Sequence, residues 1–142
     1  MIAQLFTSFI ASAAFGAIFN VPKQALIKCG FAGMVGWIIY IVLERQYAFD
    51  TALATVIAAF FIAVVSQFFA KIYKTPIIVF NVSGIIPLVP GGLAYDAMRH
   101  FVENDYNLAI QLAAKAFVIS GAIAIGLVFS EVINQIIRRS KM

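Results

Sequence analysis

The residues with the clearest potential for chemistry lie in one short stretch, NVSGIIPLVPGGLAYDAM at 81–98. Pro87 and Pro90 have no amide hydrogen and clash with the preceding turn, so a helix must kink or unwind there. Gly91 and Gly92 follow, and they allow another group to approach the backbone closely. Unwound backbone is very costly in hydrocarbon unless it is buried in protein or lines a polar cavity, so this stretch should line something.

The chemistry that such a break offers is the binding of charged solutes. A second half-helix would begin just after the prolines, and its free amides at Gly91, Gly92 and Leu93 would favour a carboxylate. Asn81 and Ser83 lie just upstream and can bond a substrate or a neighbouring backbone. The same pattern is also compatible with a kink that serves packing alone, or with a turn outside the membrane.

Three ionisable residues near the predicted membrane boundaries are candidates for proton coupling or ion pairing. Asp96 can take a proton or pair with Lys115, although a solvated interface acid and a snorkelling lysine are the simpler explanations of the two residues. Glu131 lies seven residues before Arg138 on the same helical face, where either an ion pair or a proton relay is open to it.

Other kinds of chemistry find no support in the sequence. One cysteine, Cys29, and one histidine, His100, cannot form a metal site. There is no Ser-His-Asp set, no phosphate loop and no pair of carboxylates at helical spacing. The net charge is +4, but the basic residues form no stripe with exposed aromatic residues, which argues against nucleic-acid binding. We therefore expect no enzyme, no cofactor and no bound metal.

The elements that must position these residues are membrane helices. The 142 residues are 63% hydrophobic and 11% charged, with a mean hydropathy of +1.00, which is more apolar surface than a soluble domain of this length could bury. We expect an all-α integral membrane protein with a single transmembrane domain over 1–142. The expected helices are about 2–19, 25–43, 51–70, 76–95 and 109–137, the fourth of them broken near 86–92.

Charge asymmetry predicts how these five helices cross the bilayer. If all five cross, one side carries seven basic residues, while the other carries Arg45 and Arg99 with five of the six acids. The positive-inside rule then places the C-terminus in the cytoplasm and the N-terminus outside. A re-entrant segment 76–95 would remove almost all of this bias, so five crossings are favoured.

Small residues recur at helical spacing on three of the predicted helices. The first helix carries Ser12 and Gly16, and the second carries Cys29 and Gly33. The last helix carries Ala113, Ala116, Ser120 and Ala124. Such faces let helix backbones approach closely in lipid. They predict tight packing, either within this chain or in a hetero- or homo-oligomer.

Three motifs, FNVP at 19–22, GWIIY at 36–40 and PIIVFNVSGIIPLVPGGLAYDAM at 76–98, carry a resemblance to a known family. With the glycine-rich second helix they resemble the threonine/serine exporter family, in its small-subunit, C-terminal-half form. The similarity runs over roughly residues 15–135. Its most specific piece is IPLVPG at 86–91.

The resemblance implies one subunit of a secondary exporter in the bacterial inner membrane. A short chain of this type accompanies a larger membrane subunit, and the transported solutes are threonine and serine, or a dicarboxylate such as succinate. The proton motive force, rather than ATP, is expected to drive transport. The family's proline-glycine signature carries over onto Pro87, Pro90, Gly91 and Gly92.

Two alternatives to this function remain at this point. The chain could be a structural accessory subunit, in which case the surroundings of 83–92 should be dry and filled with side chains. It could also form a small-solute channel from identical chains. A channel requires a polar stripe along the whole length of a helix, and none of the predicted helices shows one.

Overall fold

Six α-helices make up most of the chain in the computed structural model, which describes residues 2–141. They are α1 (Ile2–Ile18), α2 (Leu26–Arg45), α3 (Thr51–Tyr73), α4 (Ile77–Gly84), α5 (Gly91–Val102) and α6 (Tyr106–Lys141). Short 3-10 helices precede α2 at Lys23–Ala25 and follow α4 at Ile86–Leu88. No β-strand occurs in residues 2–141, so the prediction of an all-helical protein is confirmed.

Membrane-spanning potential is concentrated in the long helices. In the described part of the chain, three helices are long and apolar enough to cross a bilayer: Lys23–Arg45, Thr51–Tyr73 and Tyr106–Lys141. The bent pair of α4 and α5 makes a fourth if it counts as one span. The chain is therefore a helical membrane protein with three or four candidate spans. The first predicted crossing corresponds to α1, which has 17 residues, the short end of the range that spans hydrocarbon.

Local signals explain where the helices begin and end. The Asp50 carboxylate accepts the amide hydrogen of Ala52 at 3.3 Å and caps α3. The same helix ends at Lys74, which adopts a left-handed φ of 51° before Pro76 opens the next helix. It therefore runs past the predicted end at residue 70. The last helix begins earlier than the predicted residue 109, at Tyr106.

Neighbouring helices α1, α2 and α3 alternate in direction. The end of α1 meets the start of α2, where Gly16 approaches Cys29. The start of α3 meets the end of α2, where the Thr51 hydroxyl donates to the Glu44 carboxylate at 3.3 Å. At the opposite end of this pair, the Lys28 ammonium lies 3.9 Å from the centre of the Tyr73 ring. The three helices thus form an antiparallel up-down-up set.

Helices α3 and α6 run in the same direction. A Cβ added to Gly126 would lie 2.8 Å from the Cβ of Ala59, so the two backbones are close there. Further along both helices, the Gln67 side-chain amide donates to the Ser130 hydroxyl at 3.3 Å. Residue numbers rise together along this interface. The intervening α4 and α5 must therefore carry the chain back from the end of α3 to the level of its start.

Helix α4 lies in the core, whereas α5 leaves it. The Phe80 side chain is fully buried and its ring packs 5.6 Å from that of Phe69 on α3. On the next turn, Gly84 is so close to Ile62 that an added Cβ would lie 2.8 Å from it. Helix α5 packs mainly against α6. The broken segment therefore connects the core to the outer face of the bundle.

Small residues set the close packing of α1, α2 and α4. A Cβ on Gly33 would overlap the Ser12 side chain, and one on Gly16 would lie 3.3 Å from the Ser83 hydroxyl. All four residues are buried. The small residues of the first two helices thus serve packing within this chain. On α6, by contrast, Ser120 and Ala124 are exposed.

Candidate functional site

The break between α4 and α5 is a well-defined turn rather than a smooth kink. A 3-10 helix, Ile86–Leu88, contains Pro87, and the two flanking helical parts are bent by 52°. Pro90 adopts φ −80° and ψ 54°, and around it the Gly91 amide donates to the Val89 carbonyl at 2.8 Å. The break therefore falls inside the predicted range 86–92.

This turn changes which amides are free to meet a ligand. The sequence predicts three free amides, at Gly91, Gly92 and Leu93. The prediction of a free Gly91 amide is wrong, because this amide already donates to the Val89 carbonyl. The Ala94 amide donates to the Pro90 carbonyl at 3.1 Å and starts the regular helix. Gly92 and Leu93 supply the first-turn amides that a helix leaves without a partner of its own.

The two glycines after the break face away from the core. Gly91 and Gly92 are exposed, and a Cβ added to either would meet nothing within 4 Å. The positive end of α5 is therefore directed to the outside of this chain. Any group that it contacts must come from a ligand, the lipid or another chain.

A cavity of about 320 Å³ lies on the other side of the break, between α1, α2 and the 3-10 helix. We call it the break cavity, and it is lined by Gln4, Thr7, Ser8, Ala11, Trp37 and Pro87. Pro87 is the one predicted site residue in this lining. The surround of the break is therefore not filled by side chains on this side.

Two residues that line the break cavity each carry a buried polar atom with no hydrogen-bond partner within residues 2–141. These atoms are the Trp37 indole nitrogen and the Gln4 side-chain oxygen. The Trp37 ring is fixed by stacking on Tyr40, with ring centres 5.2 Å apart. The Ser8 hydroxyl is committed as a donor to the Leu5 carbonyl at 2.9 Å. A fixed N–H donor and an amide acceptor thus lie buried and unpartnered beside a space large enough for a small polar solute.

The other predicted polar residues of the break lie in the core. Ser83 is fully buried, and neither its hydroxyl nor the Asn81 side-chain oxygen has a partner in the described residues. Neither residue lines the break cavity. The predicted site residues are therefore divided among three places: the core (Asn81, Ser83), the cavity (Pro87) and the outer turn (Pro90, Gly91, Gly92).

The ionisable residues predicted for proton coupling or ion pairing lie on α5 and α6. Asp96 is half-buried on α5, while Lys115 is exposed on α6. Glu131 and Arg138 both line a second cavity, between α3 and α6. Over the same residues no group of three or more His, Cys, Asp or Glu side chains could hold a metal ion.

Gln4 and Trp37 are not among the site residues predicted from the sequence. The signal for the first was present, because Gln4, Thr7, Ser8 and Ala11 share one face of α1 at helical spacing. Trp37 stood inside the GWIIY motif, where its ring could equally have faced lipid. Only the antiparallel packing of α1 on α2 brings both residues to the break.

A helix broken by proline, within a bundle of candidate membrane-spanning helices, is a feature of many membrane transport proteins. The family model described as "Threonine/Serine exporter, ThrE" matches residues 4–133. Because this match covers most of the 142 residues, the chain belongs to the threonine/serine exporter family, which confirms the resemblance. This is a family of transmembrane exporters rather than of enzymes. No solved structure matches the chain.

Proposed function

We propose that this chain is one subunit of a secondary exporter in the bacterial inner membrane. With a larger membrane subunit of the same family, it moves small carboxylate-bearing solutes out of the cytoplasm: threonine and serine, or a dicarboxylate such as succinate. One observation carries the proposal. The helix is broken at Pro87 beside a cavity lined by Trp37 and Gln4, whose buried N–H and side-chain oxygen have no partner in residues 2–141.

The binding groups match the parts of such a solute. The Trp37 N–H can only donate, so it suits a carboxylate or hydroxyl oxygen. The Gln4 oxygen can accept from a hydroxyl or an ammonium group. The free amides of Gly92 and Leu93 add a positive helix end on the outer side of the same break. A solute that crosses the break would meet both sets in turn.

Five crossings with an external N-terminus are part of this proposal. The parallel run of α3 and α6 supports it, because a re-entrant α4–α5 would bring α6 back antiparallel to α3. Lys28 lies against Tyr73, and Lys71 and Arg138 line one cavity. The basic residues are thus gathered at one end of the bundle, which we call the basic end. The positive-inside rule assigns this end to the cytoplasm.

A partner chain is expected on the outer face formed by α5 and α6. An apolar groove of about 390 Å³ runs between these helices, and its lining includes Ala94, Ala97, Ala113 and Ala116. Such alanines permit close helix approach in lipid. The exposed Gly91 and Gly92 lie at the start of the same α5. The larger subunit, or a second copy of this chain, would close the outer half of the site there.

Coupling to protons needs an ionisable group near the path. Asp96 is our first candidate, because it is half-buried and lies on α5 soon after the break. Lys115 is exposed on the neighbouring α6, where it could respond to the charge of this acid. Glu131 is distant from the break, and we consider it separately below.

The test is transport of labelled threonine, serine and succinate in membrane vesicles. We would compare this chain alone, this chain with its larger subunit, and the pair carrying Gly91→Leu. Because a side chain at Gly91 meets nothing within 4 Å, the substitution should leave the fold of this chain intact and obstruct only the outer side of the break. We expect assembled but inactive complexes.

Normal transport by an assembled Gly91→Leu complex would contradict the proposal. The chain would then be a structural accessory subunit of a partner that does the transport. Transport by this chain without the larger subunit would instead favour a homo-oligomer.

A further inference from the structure

A second cavity lies at the basic end, between α3, α6 and the start of α4. Its volume is about 310 Å³, and we call it the Glu131 cavity. Its polar lining consists of Gln67, Lys71, Thr75, Glu131, Asn134 and Arg138. The break cavity, by contrast, is lined from the first turns of α1. The two cavities are therefore separate and lie toward opposite ends of the bundle.

Three charged residues line the Glu131 cavity. Lys71 and Arg138 are exposed, and Glu131 is half-buried. The Glu131 carboxylate accepts from the Gln135 side chain, at 3.4 Å. Two positive groups and one negative group around one small space are complementary to a solute that has both a carboxylate and an ammonium group.

Neutral polar groups complete this lining. Asn134 is buried and lines the cavity. Gln67 uses its side-chain nitrogen to donate to Ser130 at 3.3 Å, which leaves its oxygen free to accept. A hydroxyl on the solute could donate to either amide oxygen.

We propose that the Glu131 cavity is a loading site for zwitterionic hydroxy-amino acids on the cytoplasmic side. Arg138 and Lys71 bind the carboxylate, and Glu131 binds the ammonium group. Glu131 also discriminates, because it repels the second carboxylate of a dicarboxylate. The inference rests on the proposed export function and extends it, since it adds a second site and a residue that chooses between the two solute classes.

The test is equilibrium binding of labelled L-threonine and labelled succinate to the purified full chain in phosphatidylcholine nanodiscs. Removing one charged contact should weaken L-threonine binding about tenfold or more in Glu131→Gln. Succinate binding should stay equal or become tighter in the same variant. Glu131→Asp, which keeps the charge, should retain most of the threonine binding.

Arg138→Gln provides a second variant if Glu131→Gln does not fold. It should weaken the binding of both threonine and succinate, because both solutes present a carboxylate. The matched controls are Arg139→Gln, a neighbour that does not line the cavity, and Glu103→Gln, an exposed acid beyond α5. Both controls should bind like the wild type.

Three outcomes would overturn the inference. The first is an equal loss of threonine binding and succinate binding in Glu131→Gln. The second is threonine binding in that variant that equals the wild type. The third is loss of threonine binding when phosphatidylethanolamine, which also carries an ammonium group and an acid, replaces phosphatidylcholine. That result would assign the cavity to a lipid headgroup.

Failure of this inference is distinct from failure of the proposed function. Binding at the Glu131 cavity is measured without transport. If Glu131-dependent binding is absent but export is intact, only the loading site is contradicted. If binding is intact but no export occurs, only the exporter proposal is contradicted.

Discussion

The indole of Trp37 is held where α2 faces the break. It stacks on Tyr40, and its N–H has no partner in the described residues. Trp37→Phe keeps an aromatic ring there but removes the donor. If the N–H binds the solute, the variant should need about tenfold more threonine for half-maximal transport. The concentration dependence of transport in vesicles measures this.

Tyr40→Phe is the matched control for this prediction. Its hydroxyl donates to Glu44 at 3.2 Å and does not line the break cavity, so transport should be unchanged. Wild-type kinetics in Trp37→Phe would remove the indole from the solute path.

Gly33 sets the distance between α1 and α2. A methyl group at this position would overlap both side-chain atoms of Ser12. We expect Gly33→Ala to destabilise the protein by about 1–3 kcal/mol and to lower its melting temperature in detergent. Gly121→Ala should leave the stability unchanged, because an added Cβ there meets nothing within 4 Å.

Combining Gly33→Ala with Ser12→Gly tests the steric cause. The second change removes the atoms that the new methyl group would strike, so part of the lost stability should return. A double variant that is no more stable than Gly33→Ala would show that the contact with Ser12 is not the reason.

At the scale of the elements, the bend between α4 and α5 is assigned to Pro87 and Pro90. The variant with both prolines changed to Ala regains two amide hydrogens, so the helix can continue and the 52° bend should open. Spin labels at Ile78 and Met98 would then move apart, as measured by pulsed dipolar spectroscopy. Both sites are well exposed, at 63% and 64%.

The background for this experiment is Cys29→Ser, since Cys29 is the one native cysteine. Serine can keep the hydrogen bond that the thiol donates to the Val79 carbonyl. Pro76→Ala is the control, because Pro76 precedes α4 and does not lie in the break. An unchanged label distance in the double-proline variant would mean that packing, not proline, maintains the bend.

The break illustrates what the sequence could and could not predict. Its position follows from the covalent chemistry of Pro87 and Pro90, which acts locally. The loss of the Gly91 amide to Val89 depends on the exact dihedral angles at Pro90, which no residue pattern specifies. The cavity residues Gln4 and Trp37 come together only through tertiary contacts between α1 and α2. Local chemistry was therefore predictable, and the site that it borders was not.

At the scale of the whole molecule, the direction of α6 relative to α3 decides the topology. With five crossings, a cysteine at Lys74 or Lys141 should react with a membrane-impermeant maleimide from the cytoplasmic side only. A cysteine at Glu103 should react from the outside only. The measurement is labelling of intact cells against inverted vesicles, in the Cys29→Ser background.

A re-entrant α4–α5 makes a different prediction for the same experiment. The positions Lys74 and Glu103 would then share one side of the membrane. Labelling of both from the same side would rule out five crossings, and with them the parallel pair of α3 and α6 as a membrane arrangement.

The position of Trp37 has one more consequence, which is optical. It is the only tryptophan in the sequence, so the near-ultraviolet emission of the purified chain comes mainly from the lining of the break cavity. A solute that enters this cavity changes the polarity around the indole, and the emission wavelength should shift with it. The protein thus carries a native fluorophore beside the break, and filling of the break cavity can be followed in real time without a label.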